Sequence, residues 1–103
     1  MTALVAFLVA ALLEVGGDAL VRSGLRGDKL HLVVAGVVAL GAYGIVVNTV
    51  HWDFARMLGV YVAVFAVTSA LFGRFVFGES LSTQTSVGLA IVIAGAVVIQ
   101  LGR

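Results

Sequence analysis

Residues 2–21 read TALVAFLVAALLEVGGDALV, a run in which only Glu14 and Asp18 are charged. A helix needs about 20 predominantly apolar residues to cross a hydrocarbon layer of about 30 Å, and this run has that length. A membrane strand would instead show segments of about 10 residues with alternating polarity. The run is continuous, so it is read as a transmembrane helix.

The pattern recurs three times. Residues 30–50 carry no Asp, Glu, Lys or Arg and only His31 at one edge. Residues 57–77 are interrupted by Arg74, and residues 85–101 carry no charge. The connections, residues 22–29, 51–56 and 78–84, are short and polar, which makes neighbouring spans antiparallel. The expected architecture is an all-α membrane protein with four transmembrane helices, forming one domain over residues 1–103 and leaving no sequence for a second.

Composition agrees. The 103 residues are 62% hydrophobic and 11% charged, and mean hydropathy is +1.22. Soluble domains are about half apolar and about a quarter charged, so a soluble globular domain and a disordered chain are both excluded. The net charge of +1, with no basic run interleaved with aromatics, gives no basis for nucleic-acid binding. Without Cys there is no disulfide framework, thiolate metal site or Cys nucleophile, and without Pro the helices have no proline kinks. No His cluster, nucleophile–base pair or phosphate-binding loop suggests an enzyme, and no cofactor or metal is expected. The first span lacks a cationic leader and carries two carboxylates, so it is expected to be a span and not a signal peptide.

Four spans place the amino terminus, second loop and carboxyl terminus on one side with Arg56 and Arg103. Arg26 and Lys29 lie on the other, with Arg22 and Arg74 at helix ends. This weak asymmetry permits insertion in both orientations.

Glu14 is the most informative residue. With the helix starting at Thr2 it lies about 18 Å along, somewhat past mid-membrane. A charge there costs about 2.5–3.5 kcal/mol on insertion scales. Low-dielectric surroundings disfavour a carboxylate anion, so the group can hold a proton and yield it to an arriving cation. The plainer alternative is a protonated Glu bonded to a neighbouring helix. Asp18 and Arg22 follow at four-residue steps, forming a ladder on adjacent turns. Asp18 is either a second cation site or the ion-pair partner of Arg22. Ala10, Ala11 and Gly17 share the ladder's face, with Gly16 adjacent, leaving space for close helix approach or for a substrate.

On the third span Tyr61, Phe65, Thr68 and Phe72 share one helical face, and an aromatic ring there could cover a cation or simply pack. The Tyr43 hydroxyl on the second span needs a partner, for which Glu14 is a candidate. Asn48, His51 and Trp52 suit interfacial anchoring. Arg74 can snorkel to the interface or pair with Glu79. Gly88 and Gly95, seven residues apart among Ala90, Ala94 and Ala96, give the fourth span a small-residue face suited to helix association.

These residues resemble the small multidrug resistance family. Glu14-Val15-x-Gly17-x-x-Leu20-x-Arg22 is similar to that family's first-helix motif and Phe77-Gly78-Glu79-x-Leu81-Ser82 to its third loop. Gly88-Leu89-Ala90-Ile91-x-x-Ala94-Gly95, ending in Ile99-Gln100-Leu101, is similar to its fourth helix. Thr49-x-His51, Arg56, Tyr61, Thr68 and Arg74 resemble the YnfA-type sister group. The resemblance implies a homodimer, often antiparallel, in the bacterial inner membrane. It also implies proton-coupled export of small cations by alternating access, with Glu14 as the shared carboxylate. Substrate and proton would meet Glu14, Asp18, Tyr43 and Tyr61, and the dimer contact would contain Gly88 and Gly95. Tyr61 stands where that family usually has a tryptophan, and Asp18 replaces a small hydroxyl residue. The alternative is a membrane binding or assembly subunit that transports nothing.

Overall fold

The computed structural model describes residues 2–102, which form four helices and no strand. They are α1 (Thr2–Arg26), α2 (Leu30–Val47), α3 (Phe54–Phe75) and α4 (Thr83–Leu101), each long and apolar enough to cross a membrane. Large apolar side chains stand outward, Leu30, Phe75 and Leu101 among them at 74%, 76% and 77% exposure. Such an exterior is matched to lipid and not to water.

The helix ends differ from the apolar runs. α1 continues five residues beyond Val21, through Arg22 to Arg26, so the first connection is only residues 27–29. α3 begins at Phe54 and takes Arg56 into its first turn. Hydropathy marks the stretch that lipid surrounds, whereas backbone hydrogen bonding continues through the polar interface. α2 stops at Val47, where Asn48 Nδ2 donates to Gly44 O (2.7 Å) and Thr49 Oγ1 donates to Val46 O (2.6 Å). Asn48, expected as an interfacial anchor, and Thr49 thus satisfy last-turn carbonyls.

The helices form two pairs, α1 with α2 and α3 with α4. In the first pair, Gly24 meets Val33 beside the loop and Gly17 meets Gly36 and Leu40 deeper in, an antiparallel crossing. A Cβ on Gly24 would lie 2.7 Å from Val33 Cγ2 and 2.8 Å from Lys29 O, so only glycine admits so tight a hairpin. Asp28 takes a left-handed φ of 54° in the turn, a conformation Asp tolerates better than most side chains.

In the second pair, Arg56 Nη2 donates to Gln100 Oε1 (2.9 Å), and Ile99 packs on Gly59, again antiparallel. α3 is closed by Gly78 at φ 68°, with Glu79 N–H donating to Gly73 O (2.9 Å). The Glu79 carboxylate folds back over Gly73, where a Cβ would be 2.7 Å from Oε1. α4 opens with Ser82 as N-cap, its Oγ accepting from Thr85 N–H (3.0 Å). Ser82→Ala removes that acceptor, a loss of about 1 kcal/mol. Hydrogen exchange at the first-turn amides should accelerate severalfold, with Ser82→Thr close to wild type.

Candidate functional site

With α1 running from Thr2 to Arg26, Glu14 is its central residue, twelve from either end. At about 1.5 Å per residue it lies about 18 Å from both helix termini, at the midpoint of the helix. At 100° per residue, Phe7, Ala10, Ala11 and Gly17 all fall within about 60° of Glu14 around the helix. All four are buried, and Glu14 itself is half-buried. The acid is therefore on the face of α1 that carries these buried residues, with the small side chains of Ala10 and Ala11 and the bare backbone of Gly17 beside it.

The α1–α2 crossing sets that position. Gly17 follows Glu14 by three residues, and an added Cβ on it would stand 3.0 Å from Gly36 O and from Leu40 Cγ. Seen from the other side, a Cβ on Gly36 would be 2.6 Å from Gly17 O and 2.9 Å from Val21 N. The two backbones meet directly, one turn from the acid. α2 rises from this crossing to Tyr43, which is half-buried and within electrostatic reach of Glu14. Glu14 and Tyr43, weighed as partners from the sequence, thus belong to the same helix pair.

Asp18 is exposed on α1, as is Arg22. Arg22 takes part in an interaction of its own, whereas among the described residues Asp18 enters no hydrogen bond or ion pair. The local Asp18–Arg22 pair weighed from spacing alone does not form.

Tyr61, in the second pair, is 3% exposed. Its ring lies 6.3 Å from that of Phe65, tilted by 38°. Thr68, on the same face, donates to Val64 O (2.8 Å), so its hydroxyl serves its own helix. Arg74 is exposed, with its guanidinium 5.6 Å from the Phe75 ring centroid. On α4, Gly88 is half-buried and Gly95 exposed, and a Cβ on either would meet nothing within 4 Å. Their face is open within the described chain.

Sequence reasoning missed Gly36 and the Arg56–Gln100 link. Gly36 stands in an uncharged span among other glycines. The link joins positions 44 residues apart, and its register cannot be read from helical periodicity.

All residues from 1 to 103 match the family described as "Uncharacterised BCR, YnfA/UPF0060 family". The chain belongs to the YnfA/UPF0060 family. Relatives named "UPF0060 membrane protein" include one from Saccharopolyspora erythraea, 39% identical over 96% of this chain and 92% of its own length. Another, from Mycolicibacterium vanbaalenii, is 41% identical over 86% of this chain and 84% of its own. A third, from Nocardia farcinica, is 40% identical over 96% and 91%. No solved structure matches the chain. Of the two likenesses read in the sequence, the YnfA-type one is therefore shown. This YnfA-family chain is a multi-pass membrane protein, as its relatives' names and its four apolar helices together indicate.

Proposed function

We propose that this YnfA-family chain is a proton-coupled antiporter that exports small cationic compounds, working as a dimer by alternating access. Glu14 is the residue at which proton and substrate compete. The observation that carries this is its place: the midpoint of a 25-residue apolar helix, on the inward face, beside Ala10, Ala11 and Gly17.

The chemistry follows from that place. A bare carboxylate in hydrocarbon is costly, so it is neutralised either by a proton or by a cation. The two ligands exclude each other at one group, and linkage makes the exclusion reciprocal. A proton taken up on one side expels the substrate there, and substrate taken up on the other expels the proton. Tyr43, beside Glu14, supplies a hydroxyl to orient the bound ligand. The open face of Gly88 and Gly95 suits contact with a second copy, since small residues let membrane helices approach closely. The first-helix likeness to the small multidrug resistance family supports the same assignment.

The test is proton release from weakly buffered, detergent-solubilised protein on adding quaternary ammonium, guanidinium and diamine cations. Release with at least one of these, lost in Glu14→Gln and retained in Asp18→Asn, is the expected result. Release that vanishes with Asp18→Asn and persists in Glu14→Gln reverses the two roles. No release with any cation leaves a binding or assembly subunit as the better account.

A further inference from the structure

We propose that the groove between α3 and α4 holds an acyl chain of an anionic phospholipid, with the lipid phosphate against Arg56. The groove is open, about 280 Å³ in volume, and lined by Val60, Ala63 and Val64 of α3 and Ile93, Ala96 and Val97 of α4, with Gln100 and Leu101 at one end. Its walls are apolar except at that end. There Gln100 Oε1 accepts from Arg56 Nη2 at 2.9 Å, and the guanidinium carbon sits 4.0 Å from the centroid of the Trp52 ring.

The position selects the ligand's chemistry. Arg56 is in the first turn of α3 and Gln100 in the last turn of α4, so this end of the groove lies at headgroup depth. Trp52 beside it is an interfacial aromatic. Stacking and the Gln100 bond fix the guanidinium plane, and its Nε is buried without a hydrogen-bond partner. A fixed guanidinium carries five N–H donors and takes phosphate oxygens in a fork. The first N–H groups of α3 add positive potential at the same end. Asp53, the acid nearest in sequence, is exposed at the N-cap and screened by water, whereas Arg56 is half-buried. The remaining lining is suited to methylene groups and offers a zwitterionic headgroup no fixed anion for its ammonium.

A second copy is the weaker occupant. The small-residue face of α4 centres on Gly95, and Ile93 and Val97 lie about 160° around the helix from it. A copy docked on that face leaves the groove open to lipid.

Trp52 is the chain's one tryptophan, so its fluorescence reports on this site alone. The full-length protein is reconstituted in dioleoylphosphatidylcholine vesicles containing a minor fraction of dioleoylphosphatidylglycerol, with bromine on the upper acyl chain of one lipid or the other. Brominated phosphatidylglycerol is expected to quench Trp52 as though enriched about fivefold over its bulk fraction. In Arg56→Gln the enrichment falls to one, and in Ala63→Phe, which fills the groove, it also falls. Quenching of wild type in proportion to bulk composition overturns the proposal, and needs no variant to fold. So does a preference retained in a folded Arg56→Gln. A shift between monomer and dimer in Ala63→Phe with lipid preference intact makes the groove a contact between copies, which equally overturns it.

Discussion

Glu14→Gln is expected to reduce pH-driven cation flux in liposomes to the level of protein-free vesicles. Glutamine keeps the shape and length of the side chain and its hydrogen-bonding capacity, so the inward face of α1 with Ala10, Ala11 and Gly17 is preserved. What disappears is the ability to alternate between neutral and anionic forms. In the proposed mechanism that alternation is the whole of the coupling, because an unpaired anion within a membrane span is costly and a neutral group has nothing to exchange. Cation binding should show the same dependence. Where one proton and one monovalent cation compete for one carboxyl, the apparent Kd rises up to about tenfold per pH unit as the group becomes protonated. Wild-type binding therefore weakens as pH falls, and residual binding to Glu14→Gln is flat with pH. Glu14→Asp, with its carboxyl one methylene closer to the helix, should retain partial flux and the pH dependence. Flux in Glu14→Gln equal to wild type removes Glu14 from the mechanism.

Asp18 separates coupling from attraction. It is exposed and enters no ion pair among the described residues, so Asp18→Asn should leave the pH dependence intact. It should raise the concentration of cation needed for half-maximal flux severalfold, since an exposed carboxylate on the approach concentrates cations near the site. The effect should shrink with added salt, which screens an exposed charge over about 10 Å at about 0.1 M.

The four helices were legible because lipid imposes a single requirement, uninterrupted apolar length, that leaves a mark on every span. The ends were not. Arg22 to Arg26 read as loop because they are polar, yet the α1 backbone continues through them. Nor does hydropathy register that Asn48 and Thr49 bond back to Gly44 and Val46. Glu14 stood out because an acid in such a span is expensive, and Tyr43 because a buried hydroxyl needs a partner. Gly17 and Gly36 are different. The chain has thirteen glycines, and which of them touch depends on how α1 and α2 are rotated and slid past one another. The same holds for Arg56 and Gln100, whose encounter is a property of the α3–α4 register.

Gly36→Ala should destabilise the first helix pair by about 1–3 kcal/mol, the range for overpacking a filled contact. The new Cβ would stand 2.6 Å from both Gly17 O and Val21 Cγ2, and 2.9 Å from Val21 N. Val21 can turn its side chain away, but the carbonyl and amide belong to the α1 backbone and cannot move unless the helices part. Gly17→Ala should cost less, because its tightest neighbours stand at 3.0 Å and one of them, Leu40 Cγ, is side chain. Gly41 and Gly44, on the same helix as Gly36, have nothing within 4 Å of an added Cβ. Alanine at either should be neutral or slightly stabilising, since alanine is the better helix former by about 1 kcal/mol. Loss of far-UV helical signal on heating in detergent ranks the four variants. Because Gly17 follows Glu14 by less than one turn, parting the helices at Gly36 also displaces the carboxyl. Gly36→Ala should therefore lower flux at temperatures where it is still folded, while Gly41→Ala and Gly44→Ala do not. Equal stability of Gly36→Ala and Gly41→Ala would mean that the α1 and α2 backbones do not meet at this crossing.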